Sequence, residues 1–309
     1  MAGLEDLDAS GLSTGDTWAS EPNATPIDKQ LVKAALFPRR ATPAKVGRYT
    51  VLGLLGRGGM GVVYACYDDL LDRKIAVKVL HGERAPTAKA RLMREAQALA
   101  RLNHPNVVTI HDVGLVGAQV YLAMEFVDGQ TLGAWRRAAR RTWREILAVV
   151  IAAGEGLAAA HAKGLVHRDV KPDNIMVGAD GRVRVMDFGL AHSGEGAESV
   201  RPELDGVSRG HDALSTELTR TDAVIGTPAY MSPEQLLGGQ TDARTDQFCL
   251  CLTAWEALYG QRAFTGEPFS ELARRVIRGT LTPPPAGADI PAWLRRVLER
   301  GLRSGAGER

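Results

Sequence analysis

"VHRDVKPDNIMV", residues 166–177, sets His167, Arg168, Asp169, Lys171 and Asn174 in the order H-R-D-x-K-x-x-N. From the residue frequencies of this chain, that pattern is expected by chance on the order of 10⁻⁵ times. Thirteen residues after Asn174, Asp187 follows in "VMDFGLA", residues 185–191. The two stretches put Asp169, Lys171, Asn174 and Asp187 at two neighbouring turns. Such a set suits phosphoryl transfer: one carboxylate to receive a hydroxyl proton, one cation for the group in flight, and two oxygen ligands for Mg²⁺. A salt-bridged surface cluster is the plainer alternative, and the motifs that flank it on both sides argue against it.

Upstream, "LLGRGGMGVVYACYD", residues 54–68, places Gly56, Gly58, Gly59 and Gly61 within six positions. Alone this is weak, because 34 glycines among 309 residues produce G-x-G-x-x-G by chance roughly 0.4 times. The residues after Gly61 decide its meaning. In a dinucleotide-binding fold the third glycine opens a helix, whereas Val62, Val63 and Tyr64 continue a strand here. The glycines therefore form a hairpin tip, where missing side chains let backbone N–H groups lie against phosphate oxygens. In "IAVKVL", residues 75–80, alternation puts Ile75, Val77 and Val79 on one strand face and Ala76 with Lys78 on the other. A lysine on a strand is ordinarily a solvated residue. It becomes a phosphate ligand when a carboxylate fixes it, and Glu95 in "REAQAL" is the candidate partner.

Around these motifs the chain divides. Residues 1–46 carry Ala, Gly, Ser, Thr, Asp and Pro without a sustained period and read as a disordered leader. From Arg48, "YTVLGLL", "GVVYACYD" and "KIAVKVL" read as an antiparallel meander. "TAKARLMREAQALARL" spaces Leu92, Ala96, Leu99 and Leu102 as one helix face, and "VVTIHDVGLVGAQVYLAMEFV" returns to strands. After Gly129 the pattern is mainly helical, with periodic stretches near 142–163, 244–259 and 291–302. The expectation is an α+β fold of two lobes: a small β-rich lobe over 47–128 and a larger α-helical lobe over 129–309. The segment 193–218 has no period and reads as a long loop.

Bulk properties exclude several classes. A formal net charge of +2 offers no field for a nucleic acid. Cys66, Cys249 and Cys251 do not have the spacing of a zinc site and read as reduced thiols. No basic stretch leads into an apolar run at the start, and the most apolar stretch, "ILAVVIAAGEGLAAAHA", is too short to span a bilayer. These features predict a cytoplasmic chain, or the cytoplasmic part of a longer, membrane-anchored one.

With its motifs in order from Arg48 onward, the chain resembles the protein kinases, and most closely the bacterial, eukaryotic-like (Hanks-type) serine/threonine kinases. The resemblance implies ATP and Mg²⁺ as cofactors and protein Ser/Thr hydroxyls as acceptors. It implies that the loop Gly56, Arg57, Gly58, Gly59, Met60, Gly61 and Val62 covers ATP. Lys78 would contact the α- and β-phosphates, held by Glu95. Leu55, Val63, Ala76 and Met176 would sandwich the adenine beside the gatekeeper Met124, with the backbones of Glu125 and Val127 bonding its edge. Asp169 would be the catalytic carboxylate, Lys171 would steady the γ-phosphoryl group, and Asn174 and Asp187 would bind the metal. "GTPAYMSPEQ" resembles the substrate-docking stretch, with Thr227 beside the catalytic loop and Glu234 as its buried carboxylate. Asp246 in "TDQFCL" would prop the catalytic loop. Lys171, where tyrosine kinases place no lysine, implies Ser/Thr specificity.

Two departures from the family pattern stand out. The family's arginine partner of Glu234 is usually followed by more helix, but Arg309 ends this chain, which therefore reads as the front part of a longer protein or as a truncated gene product. The stretch from Asp187 to Glu234 is also longer than usual. Related kinases carry paired threonines ahead of the docking stretch, so Thr219 and Thr221 are the expected sites of autophosphorylation, made in trans by a transient homodimer. A pseudokinase scaffold is the rival reading. It would have lost the lysine, the catalytic carboxylate or the metal-binding aspartate, and none is lost here. The basic run "WRRAARRTWRE" reads as amphipathic helix surface.

Overall fold

A computed structural model describes residue 27 and residues 43–81, 86–188 and 228–309. The small lobe is built on one six-stranded antiparallel sheet: β1 (Lys45–Val46), β2 (Tyr49–Gly58), β3 (Gly61–Asp68), β4 (Arg73–Leu80), β5 (Ile110–Val116) and β6 (Gln119–Glu125). The spatial order is β1-β2-β3-β4-β6-β5, so β6 inserts between the meander and β5. Alternation along β4 works on both faces. Ile75, Val77 and Val79 enter a core with Tyr49, Val62, Tyr64 and Cys66. Ala76 and Leu80 turn to the opposite face, where Leu92 and Ala96 of helix α1 (Pro86–Ala100) cover them. The spacing of Leu92, Ala96, Leu99 and Leu102 thus does define the buried stripe, each being 6% exposed or less.

The boundary drawn at residue 46 needs correction. Strand β1 pairs Val46 with Tyr49 and Lys45 with Thr50, and Ile27, well inside the stretch read as a leader, is 5% exposed in the core around Tyr49. A β1 of two residues has too short a run for periodicity to reveal.

After β6 the chain crosses to the large lobe through β7 (Gly129–Thr131), α2 (Leu132–Ala138) and α3 (Trp143–His161). Thr142 opens α3 with a capping box: its side chain accepts from Glu145 N while the Glu145 carboxylate accepts from Thr142 N at 2.7 Å. Ile146, Val149, Ala153, Leu157 and Ala160 form the buried stripe of α3, at spacings of three and four. A second sheet of β7, β8 (Ile175–Gly178) and β9 (Val183–Val185) lies at the lobe junction. The remaining α-helices among the described residues are α4 (Pro233–Leu236), α5 (Ala243–Tyr259), α6 (Phe269–Arg278) and α7 (Ala292–Gly301). Helix α5 is buried on nearly every side, with Phe248, Cys249, Leu252 and Trp255 all within 3% exposure. Gly260 closes it at φ 72°, a left-handed turn that favours glycine.

Candidate active site

The two turns read from the sequence meet under the small lobe. Residues 166–171 run out of α3 toward a short helical turn, Pro172–Asn174, and Asp187 follows β9. Backbone and side chains lock these turns together. Met186 N donates to Asn174 O at 2.9 Å, His167 Nε2 lies 2.9 Å from Met186 O, and the rings of His167 and Phe188 approach to 4.6 Å. Arg168 and Asp187 adopt φ values of 66° and 62°, conformations that cost on the order of 1–3 kcal/mol each and need surrounding bonds to hold them.

Asp246, fully buried on α5, supplies those bonds for the first turn. Its Oδ2 accepts from His167 N at 2.8 Å and lies 2.7 Å from His161 Nε2, and its Oδ1 accepts from Arg168 N at 2.7 Å. Gln235 Nε2 adds a bond to Arg168 O at 2.7 Å. Asp169 follows directly on this braced turn, and its Oδ2 accepts from Lys171 Nζ at 2.8 Å and from Asn174 Nδ2 at 3.0 Å. Asn174 Nδ2 also donates to Asp169 O at 2.7 Å. This fixes the amide with its nitrogen on Asp169 and its oxygen available to a cation.

Lys78 is 8% exposed. The sequence expectation pairs it with Glu95 on α1; the ion pair seen here has Nζ 2.9 Å from Asp187 Oδ1, crossing from β4 to the Asp187 turn. Asp187 reaches Lys78 from the turn that follows β9. A cavity beside this pair is lined by Met60, Lys78, Met124, Asp187 and Phe188 together with the core side chains Leu99, Val108 and Leu122; of the residues expected around ATP it gathers only Met60, Lys78, Met124 and Asp187.

The glycine hairpin forms as its sequence indicates, with Gly58 paired to Gly61 across the tip. Its glycines divide by cause. A Cβ on Gly61 would overlap the Val79 carbonyl oxygen, whereas one on Gly56, Gly58 or Gly59 would meet no protein atom. Only the first is required by the fold's own packing. Val63 turns toward Ala76 and Met124, while the side chain of Val62 enters the core with Tyr64, so Val62 can offer the cleft only its backbone. Leu55 is half-exposed on β2, Met176 sits on β8 opposite Thr131, and Glu125 and Val127 lie where β6 leaves the small lobe. Thr219, Thr221 and Thr227 fall outside the described residues.

Glu234 and Arg309 form the ion pair read from the sequence. Arg309 Nη1 and Nη2 each lie 2.9 Å from a Glu234 oxygen, the guanidinium stacks 4.7 Å from the Phe248 ring centre, and its side chain is fully buried. Burial alone would raise the Glu234 carboxyl, but the bonds from Arg309 and Thr245 hold it down to about 2.

Sequence reasoning missed Arg184. In "VRV" of β9 it reads as a solvated strand residue, yet it is 5% exposed and bridges Glu125 and Asp180. The one signal was Asp180, placed in a glycine-bearing turn four residues before it.

Comparison with known proteins agrees with this geometry. Residues 49–295 match the family described as the protein kinase domain. The serine/threonine-protein kinase PknA of Mycobacterium tuberculosis is 36% identical over 82% of this chain and 56% of its own length. PknB of the same organism is 37% identical over 84% of this chain and 41% of its own. The chain spans about half the length of these relatives or less. Among solved structures, the kinase domain of M. tuberculosis PknI superposes with a TM-score of 0.63 at 28% identity, covering 87% of this chain and 93% of that one. The chain belongs to the protein kinase family, as a bacterial Hanks-type serine/threonine kinase domain.

Proposed function

We propose that this chain binds ATP with Mg²⁺ between its lobes and transfers the γ-phosphoryl group to serine or threonine hydroxyls of proteins. Membership of the family carries the use of ATP and a divalent metal. The observation that supports the reading most directly is the Asp169 cluster. A buried carboxylate is oriented by Lys171 and Asn174 on one oxygen, which leaves the other for an incoming hydroxyl. A hydroxyl bonded to that oxygen is positioned, and its proton has an acceptor as the oxygen attacks phosphorus. Lys171 and Lys78 are the cations placed to neutralise phosphate charge.

The donor set fits a hard cation. Asn174 offers an amide oxygen, and Asp187 keeps one carboxylate oxygen beyond the one on Lys78. Mg²⁺ takes one or two protein ligands of this kind and completes its shell with phosphate and water. When bound, the ion supplies charge neutralisation along the phosphates. The intact set of Lys78, Asp169, Asn174 and Asp187 disfavours a nucleotide-binding scaffold without catalysis. Incubating the chain with labelled ATP and Mg²⁺, alone and with a generic basic protein, tests the reading, and absence of transfer to either would overturn it.

The glycine hairpin provides a sharper test. Gly61→Ala is expected to lower stability by about 1–3 kcal/mol through the clash with Val79. Gly58→Ala should leave the melting temperature nearly unchanged, because its Cβ has open space, yet raise KM for ATP several-fold. Equal behaviour of the two variants in melting and kinetics would show that the hairpin does not serve a ligand.

Activation by autophosphorylation at Thr219 and Thr221 belongs to the same proposal. Arg168 Nε is buried without a hydrogen-bond partner among the described residues, next to the catalytic carboxylate. A phosphothreonine brings about two negative charges and three acceptor oxygens. The double variant Thr219→Ala/Thr221→Ala should cut phosphorylation of a substrate in trans at least tenfold with ATP binding retained. Phosphosite mapping that finds both threonines unmodified in active enzyme would refute the assignment.

A further inference from the structure

We infer that Arg184, through Glu125, is a positioning residue for purine recognition, holding the segment that joins the lobes in the register where its backbone meets the adenine edge. This rests on the reading of the cleft as an ATP site and extends it to a residue outside the cleft.

Arg184 turns its fork to two carboxylates, with Nη1 also 3.5 Å from Arg182 O. Nε lies 2.8 Å from Glu125 Oε1. Nη2 and Nη1 grip Asp180 at 2.9 and 3.2 Å. Asp180 is itself fixed by Arg182 N at 3.0 Å, so the guanidinium is anchored at one end to a rigid turn and presents its remaining edge to Glu125. Glu125 is the last residue of β6, and its backbone N donates to Thr109 O at 2.8 Å. Its main chain is therefore held from the β5 side, and its carboxylate lies between Thr109 N, 3.5 Å from Oε2, and Arg184 below.

Two further observations show that the fold makes room for this contact. A Cβ on Gly178 would overlap Asp180 Oδ1 and come within 3.0 Å of Arg184 Nη1, so any larger residue there would displace the tips of the two paired side chains. Immediately after Glu125, Ala179 N donates to Asp128 O at 2.7 Å, and Gly129 pairs with Gly178. The connector between the lobes is thus docked on the β8–β9 hairpin at residues 125, 128 and 129, and Arg184 is the part of that docking that reaches the small lobe. A bidentate, planar cation fits this task and an ammonium does not.

The contact touches neither the phosphates nor Asp169, so its loss should be felt in nucleotide affinity and base preference before it is felt in turnover. The test is equilibrium titration of fluorescent ADP and GDP analogues into wild type, Arg184→Met, Arg184→Lys and Glu125→Gln, together with ATP kinetics. Arg184→Met is expected to weaken ADP binding and raise KM for ATP by about tenfold, the worth of one charge-assisted hydrogen bond, with a smaller change in kcat and a reduced preference for ADP over GDP. Arg184→Lys should recover part of this. Glu125→Gln should resemble Arg184→Met, and the double variant should be no worse than either single one. A purely structural role lowers the amount of folded enzyme, and so kcat, while leaving KM and base preference unmoved. If Arg184→Met does not fold, Glu125→Gln and Asp180→Asn carry the test, since both positions are partly exposed. Unchanged KM and base preference in the folded variants, or strictly additive effects, would overturn the inference. A wild type that binds ADP but transfers nothing defeats the catalytic proposal and leaves this one standing; a wild type that binds no nucleotide defeats both.

Discussion

Replacing Asp169 with Asn is expected to lower phosphotransfer on the order of 10³-fold, within the range that a positioned general base contributes. The substitution is close to isosteric. Its amide oxygen can still accept from Lys171 and Asn174, so the turn and the nucleotide cleft persist, and only the negative oxygen that receives a proton is lost. Kd for ADP should therefore stay within about twofold of wild type while kcat collapses. Lys78→Met should reach a similar loss by another route: the cation that joins β4 to Asp187 at 2.9 Å disappears, and the phosphates lose their placement. Steady-state kinetics beside calorimetric nucleotide binding separates the two. Near-normal turnover by Asp169→Asn would remove Asp169 from its assigned role.

Arg309→Ala should be strongly destabilising, by about 3 kcal/mol, because it removes a fully buried guanidinium and strands the partly buried carboxylate of Glu234. For a domain of this size the melting temperature should fall by about 10 °C. The same pair gives the fold an acid limit. The Glu234 carboxyl is held at about 2 in the folded protein against 4.5 ordinarily, a depressed value. Its contribution, on the order of 3 kcal/mol, is fully present above pH 4.5 and drains away as pH falls from there toward 2. Thermal melts across that window should show wild type losing stability steeply, and Arg309→Ala losing much less over the same range. Parallel curves for the two proteins would show that the pair is not what the acid removes.

Motifs and long periodic stretches were readable because each rests on local chemistry. Leu92, Ala96 and Leu99 declare a helix face whatever lies above it, and the H-R-D-x-K-x-x-N run names its own roles. What was hidden depends on distant partners. The insertion of β6 between β4 and β5 is a property of the sheet, not of either strand. Glu95 was the nearer guess for Lys78 because it lies on the adjoining helix, but Asp187 competes for the same ammonium from a turn more than a hundred residues away in sequence. Val62 was grouped with the phosphate loop by position, and the pleat sent its side chain to the other face. Arg184 looks like a surface residue until Asp180 and Glu125 close on it.

Asp246 has a wider consequence. Because one carboxylate of α5 holds His167 N, Arg168 N and the His161 ring together, the catalytic turn belongs to the same cooperative unit as the most deeply buried helix. It cannot open on its own without stranding that charge in the core, so its local unfolding free energy approaches that of the whole lobe. The slow fluctuations that admit substrate and release product must then come from elsewhere, above all from the glycine hairpin, where a Cβ on Gly56, Gly58 or Gly59 would meet no protein atom. The chemistry sits on the still part of the molecule, and turnover is timed by its loose parts.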